Sequence, residues 1–242
     1  MTLAAAPHIS IIIPTLNEAE FLPPLLAALA HEDVPAEVIV VDGGSTDGTA
    51  ELAAAKGCTV LRATPGRGPQ LAFGAQGARG DILLFLHADT TFPAGGLRRI
   101  VEGLQGSPNA VGGNFRLVFD GRDGFSRWLT GFYAWIRRRG LYYGDSAVFV
   151  RRAVYGELGG IRPLALMEDF DFNRRLERAG PTLCIEDPAL VTSSRKFSGR
   201  SPVSIVAGWL VIHALYYLGV SPKRLAAFYY RGASRPPERG AV

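Results

Sequence analysis

Cysteine is scarce: Cys58 and Cys184 are the two in 242 residues, and both sit in apolar stretches. So few thiols exclude a disulfide framework and read as buried free thiols in a reducing compartment. No zinc-finger spacing and no RNA-binding signature is present, which sets nucleic acid aside as a partner. No Gly-x-Gly-x-x-Gly follows the first apolar run, Ile9 to Ile13, and this excludes a dinucleotide-dependent dehydrogenase. A sugar-nucleotide pyrophosphorylase would carry a Gly-rich loop with a basic residue there, whereas this chain reads Pro14-Thr15-Leu16-Asn17-Glu18. Internal repeats are absent. Met1 to Ala6 lacks the basic start of a signal peptide, so a cytoplasmic protein is expected.

What remains is a chain of ordinary globular composition, 48% hydrophobic and 20% charged, with enough residues for one large domain plus an appendage. Its net charge of +4 is uneven. From Leu190 onward there are eight Lys or Arg residues and one acid, Glu238, while the first 189 residues hold 18 basic and 21 acidic ones. Such a tail suits an anionic partner, either a phosphorylated ligand or a lipid surface; a solvated basic tail is the plainer alternative.

Apolar runs at Ile9–Ile13, Val38–Val41 and Ile82–Leu86 read as strands buried on both faces, with a shorter one at Thr59–Leu61. Helical patterns lie between them at Phe21–Leu29, Thr49–Lys56 and Gln70–Arg79. This alternation predicts an α/β fold with a doubly wound, mostly parallel sheet. Beyond Phe92 the expected elements are helices over Leu97–Leu104, Phe125–Ile136 and Glu168–Ala179, and strands over Gly112–Phe119 and Ala147–Val150. A nucleotide-binding half over about 8–110 and an acceptor-shaping half over about 111–190 follow, with 191–242 as a basic, partly apolar helical extension.

The stretch Asp81 to Thr90 carries the strongest chemical signal: five apolar residues run into His87 and Asp89. Open α/β sheets bind ligands at the carboxyl ends of their strands. A His and a carboxylate two residues apart can face the same way and hold a divalent cation. Three loops, Thr15–Glu18, Asp42–Asp47 and His87–Thr90, should converge there. A crevice lined by carboxylates does not attract a phosphorylated ligand unaided, and a divalent metal bridging Asp89 to a diphosphate resolves the conflict. Thr15 to Glu18 also has the form of a capping box for the next helix, and Asp42 before Gly43-Gly44 that of a turn former.

Four motifs occur in order: Pro14-Thr15-Leu16-Asn17-Glu18, Val40-Val41-Asp42-Gly43-Gly44-Ser45-Thr46-Asp47-Gly48-Thr49, Phe85-Leu86-His87-Ala88-Asp89 and Met167-Glu168-Asp169. Together they resemble the family 2 glycosyltransferases of GT-A fold, over about Ile9 to Gly180. Gly66-Arg67 with Gln70, Gly144-Asp145 and Gly159-Gly160 add a likeness to the small bacterial arsenosugar-biosynthesis or radical-SAM-associated subgroup. The resemblance implies an inverting transferase that moves a hexosyl-type group from a nucleotide-sugar donor to a small-molecule or lipid-linked acceptor, with Mn2+ or Mg2+ as cofactor. Thr15, Glu18 and Asp42 match positions near the donor nucleoside, and Gly43 stands where many relatives have a second acid that reads uracil. Asp89 matches the metal-binding acid of the Asp-x-Asp motif, with His87 in place of the first acid and Ala88 between them. Asp169 matches the catalytic base, and Glu168, Gly144 and Asp145 border the acceptor. Arg67 and Arg195 are candidates to clamp the leaving diphosphate from opposite sides. Ser193 to Phe197 lacks the Gln-x-x-Arg-Trp of processive relatives, which argues against polymer synthesis.

Val203 to Val220 is 18 residues long without a full charge. It fits a helix packed on the domain, an interfacial helix at the inner face of the cell membrane, or a short span. The rival to an active transferase is a degenerate nucleotide-sugar-binding or membrane-docking protein, motivated by His87 and Gly43 and opposed by the retention of Asp89 and Asp169.

Overall fold

The computed structural model describes residues 8–194, 197 and 199–232. Strand β1 (Ile9–Thr15) has no solvent face, because Ile9, Ile11, Ile12 and Ile13 are all fully buried. Burying each such side chain contributes about 1.5–3 kcal/mol. The strand lies between β2 (Ala36–Asp42) and β4 (Ile82–Phe85), parallel to both, and β3 (Thr59–Arg62) runs parallel outside β2. On the far side of β4 the direction reverses. There β7 (Val148–Arg151) pairs antiparallel with β4 and with β6 (Gly112–Phe119). Beyond them β8 (Thr182–Thr192) runs parallel to β6, and the two-residue β5 (Thr90–Thr91) closes the sheet antiparallel to β8. The resulting order is β3-β2-β1-β4-β7-β6-β8-β5. This is the α/β architecture expected from the alternating pattern, with its parallel block in the first half of the chain.

Alternating residues of β1 point to opposite faces, as strand geometry requires. Ile9, Ile11 and Ile13 join the core beneath α1 (Leu22–Ala30), α4 (Gly96–Gly106) and α5 (Gly124–Arg137). Ile12 joins Ile39, Val41, Leu83 and Phe85 beneath α3 (Arg67–Gly77) and α7 (Glu168–Ala179). Helix α2 (Thr49–Ala55) adds Ala53 to the first core and stops at Gly57, which adopts the positive φ of 80° that ends many helices. A third, smaller core forms where Met167 and Phe170 meet Ile212 of α8 (Pro202–Tyr217) and Leu225 of α9 (Pro222–Gly232).

One local expectation fails. The capping box over Thr15–Glu18 does not form, because Thr15 is the last residue of β1 and the helix begins only at Leu22. Phe21 stands at its N-terminus without a side-chain cap, and Pro23 and Pro24 occupy the first turn. The backbone N–H groups of Phe21 and Leu22 donate instead to the Glu18 carbonyl. Three elements escape the hydrophobic pattern: β5, α6 (Arg152–Glu157) and β8. β8 pairs Ile185 with Phe115 and then Leu190 with Leu117, so residues 186–189 bulge from the ladder. The polar run Glu186-Asp187-Pro188 thus divides one strand into two fragments too short to read.

Candidate active site

The first two loops are stitched together at the carboxyl edge of the sheet. Thr15 lies beside Asp42 in register, and the Gly43 N–H donates to the Thr15 carbonyl at 2.9 Å. Asn17 sits in the left-handed region (φ 56°), where its side-chain carbonyl accepts from the Thr46 N–H at 2.9 Å and its own N–H donates to Ser45 Oγ at 2.9 Å. The Glu18 N–H donates to Thr49 Oγ1 and the Ala19 N–H to Asp47 Oδ2. Asp42 is 2% exposed, and its Oδ2 accepts from the N–H groups of Gly44 and Ser45, both at 3.0 Å. The turn-forming role is therefore present. Its Oδ1 is buried with no hydrogen-bond partner, which is costly unless a ligand supplies a donor.

Gln70, on the first turn of α3, ties these loops to the next. Its Nε2 donates to the Thr15 and Val41 carbonyls at 2.8 and 2.7 Å, and its Oε1 accepts from the Gly66 N–H. A Cβ on Gly43 would lie 3.2 Å from Gln70 Nε2, so a larger residue there presses on this tie. Sequence reasoning marked Gln70 as part of a motif and missed this structural role. A lone buried amide carries no periodic signal.

His87 to Thr90 follows β4, beside β1, and folds as a turn in which the Thr90 N–H donates to the His87 carbonyl. Ala88 is buried, while His87 and Asp89 are half-buried. Among the described residues no group of three or more His, Cys, Asp or Glu side chains is gathered to hold a metal ion. A cation at Asp89 would therefore need most of its ligands from a bound diphosphate and water, the usual habit of Mg2+ beside nucleotides.

The second half of the chain supplies the opposite wall. Met167, in the left-handed region (φ 66°), turns the backbone into α7 so that Glu168 and Asp169 are its first two residues. Arg67, entering α3 behind Gly66, donates from Nε to Glu168 Oε1 and pairs through Nη2 with Asp169 Oδ2 at 3.1 Å. The approach requires Gly68, where a Cβ would sit 2.5 Å from the Leu164 carbonyl oxygen. Asp169 Oδ2 also accepts from the Gly144 N–H at 2.9 Å, and Oδ1 accepts from the Phe170 N–H at 2.7 Å. A Cβ on Gly144 would be 3.2 Å from Asp169 Oδ2 and 3.5 Å from His87 Nε2. The carboxylate and the imidazole therefore come within reach of one backbone position, across two halves of the chain.

Burial alone would raise the Asp169 carboxyl, but Arg67, the two backbone N–H donors and His87 outweigh it and hold the group below the ordinary carboxylate range. Glu168 goes the other way: burial and the neighbouring Asp169 charge push it up against the pull of Arg67. The two adjacent acids are thus driven apart, as in sites that need one carboxylate ionised. Arg67 is strengthened as a cation by both carboxylates and by Asp145, against the effect of burial. Its fork is engaged with the acids of α7, whereas the sequence suggested it for the diphosphate. Arg195 lies outside the described residues. Asp145 is 5% exposed and accepts from the Tyr133 hydroxyl at 3.4 Å. All three non-glycine residues of positive φ among the described ones (Asn17, Ala147 and Met167) flank these loops. Strained backbone of this kind collects at functional sites.

Behind Asp169 stands an aromatic block that the sequence did not announce. Phe170 packs on Tyr143 at 6.1 Å and on His213 at 5.0 Å, and the Tyr143 hydroxyl shares a 2.9 Å hydrogen bond with His213 Nε2. Helix α8 is thereby fixed beside the base candidate. A cleft of about 610 Å³ lies elsewhere, at the amino end of β4, lined by Asp81, Val101, Arg151 and Glu157. The carboxyl-edge loops contribute nothing to it.

Comparison with known proteins bears on the family and the fold. The profile of the family described as Glycosyl transferase family 2 matches residues 10–157. A "PGL/p-HBAD biosynthesis glycosyltransferase" of Mycobacterium tuberculosis is 33% identical over 202 residues, 78% of this chain and 73% of that one. Among solved structures, the mannosyltransferase of Pyrobaculum calidifontis in complex with GDP-Man and Mn2+ superposes with a TM-score of 0.65 at 21% identity, covering 98% of this chain and 76% of that one. Glucosyl-3-phosphoglycerate synthase from Mycobacterium tuberculosis, in complex with Mn2+ and UDP-glucose, gives a TM-score of 0.59 at 19% identity, with 89% and 80% covered. By its sequence profile, its curated relatives and its GT-A architecture, the chain belongs to glycosyltransferase family 2 and is a transferase.

Proposed function

We propose that this enzyme transfers a glycosyl group from a nucleotide-sugar donor to an acceptor hydroxyl with inversion, Asp169 acting as general base and Asp89 as the principal protein ligand of a divalent metal. The observation that carries the reading is the meeting of Asp169, Gly144 and the His87 loop at one point. Donor binding is assigned to the loops of Thr15, Glu18 and Asp42, where the unpartnered Asp42 Oδ1 is suited to a ribose hydroxyl or a base N–H. Solved relatives hold GDP-Man or UDP-glucose with Mn2+, which supports this class of donor. The fine motifs around Gly66-Arg67 and Gly144-Asp145 support a likeness to the arsenosugar-type subgroup.

The donor set fits a metal shared with substrate: Asp89 supplies oxygen, His87 an optional nitrogen that suits Mn2+ better than Mg2+. Bound there, the ion would neutralise charge growing on the diphosphate as it leaves. The remaining work falls to this chain. Asp169 Oδ2 is held by Arg67 and Gly144, so the carboxylate cannot swing. Oδ1, with one backbone donor, keeps a lone pair for the acceptor proton. As the acceptor oxygen attacks the anomeric carbon from the side opposite the leaving group, that proton passes to Asp169. A carboxylate held below its usual range is a weak base, so orientation carries most of its effect. The acceptor, a small molecule or a lipid-linked one, would enter between Gly144-Asp145 and α8.

Equilibrium binding and donor hydrolysis across a panel of nucleotide sugars, with Mn2+, Mg2+ or chelator, test the proposal. One donor class should bind in a metal-dependent manner, and Asp89→Ala should lose that binding. Metal-independent binding that survives Asp89→Ala would refute the assignment.

A further inference from the structure

Helix α8 buries one side and leaves the other bare. Ile205 and Ile212 are buried, and His213 and Tyr216 face Tyr143, Phe170 and Asp171. On the outer side Val203, Leu210, Val211 and Leu218 are 77%, 67%, 42% and 79% exposed, joined by the exposed Ala207 and Ala214, while Tyr217, 68% exposed, stands at the margin with its ring 6.1 Å from Phe170. Spacings of three, four and seven residues place these on a single stripe without a charge, about 22 Å long. A helix that is apolar all round is normally enclosed. Nothing among the described residues encloses this one, and their folding alone does not account for its outer face. No helix among the described residues is long and apolar enough to cross a membrane.

The charge around the stripe identifies what meets it. From Pro188 to Pro237 the chain contains seven Lys or Arg residues and no acid. Arg200 is exposed just before α8, and Lys223 and Arg224 are exposed at the start of α9. An apolar stripe lying flat between cations, with a tyrosine at one end, matches the plane where acyl chains meet anionic headgroups.

We propose that the outer face of α8, with the cations at both its ends, docks on an anionic lipid bilayer and lies in its interface without crossing it. This stands independently of the transferase reading. It has a consequence for that reading, because the inner side of the same helix packs on Phe170 next to Asp169: docking sets the edge of the site against the headgroups.

The test is flotation of the full chain with vesicles of phosphatidylcholine alone or mixed with phosphatidylglycerol. The chain should float with the mixed vesicles and be released by salt. Lys223→Gln with Arg224→Gln should weaken partition about thirtyfold. Leu210→Ser with Leu218→Ser should weaken it about tenfold or more, with circular dichroism and melting temperature unchanged. Sedimentation equilibrium run alongside separates a second copy from lipid. Absence of binding to either vesicle, equal binding to both, insensitivity to both double substitutions, or a dimer abolished by the Leu210→Ser pair would each overturn the proposal.

Discussion

Arg67 pairs with two adjacent acids, Glu168 and Asp169. Burial and the Asp169 charge raise Glu168, whereas Arg67, two backbone N–H donors and His87 hold Asp169 down against the same burial. Asp169 must be ionised to accept a proton, so activity falls when pH drops through its value in the folded enzyme. Holding that value below the usual carboxylate range keeps the acidic limb at low pH. Arg67→Met removes the largest opposing charge, raises Asp169, and should move the acidic limb of kcat/KM to higher pH, while nucleotide binding measured by calorimetry changes little. An unmoved limb would separate Arg67 from the base. Asp42, Asp89 and Asp169 could be singled out in the sequence because each stands in a motif at a strand or helix end. Gln70, Tyr143 and His213 were not, because their roles depend on partners 55 to 70 residues away.

Among the elements, α3 does most to align the site, since it brings both Gln70 and Arg67 to the carboxyl edge. Its distance from the sheet is set by Gly74, where a Cβ would lie 2.6 Å from Ile12 Cγ2 and 2.7 Å from Val41 Cγ2. Gly74→Val should therefore cost about 1–3 kcal/mol through overpacking, read by urea unfolding. It should also raise KM for the donor as Gln70 withdraws. The helix α7 that carries Asp169 is anchored by Leu176, which is fully buried, and Leu176→Ala should lose about 2–5 kcal/mol in the same assay. Strands with continuous apolar runs were readable because burial on both faces demands such runs. β8 was not, because its pairing skips Glu186-Asp187-Pro188, and it runs to Thr192, past residue 190 where the sequence pattern suggested the domain would end. The Thr15–Glu18 capping box misled because β1 extends two residues further than its apolar run, leaving Thr15 in the sheet.

At the scale of the whole molecule, two halves of unlike topology meet at β4. The parallel half brings Thr15, Asp42 and the His87 loop to one edge, and the half from β6 onward returns Gly144 and Asp169 to it. Donor affinity should accordingly reside in the first half and turnover in the second. Chelator should abolish binding of the nucleotide sugar, and Mn2+ should restore it, as followed by calorimetry. The sharpest separation comes from the rate of sugar transfer by Asp169→Asn at saturating donor and metal. Transfer should fall by at least about a hundredfold while donor affinity stays within a factor of a few, because the amide keeps the shape but accepts no proton. Transfer at the parental rate would contradict the assignment of Asp169 as the base.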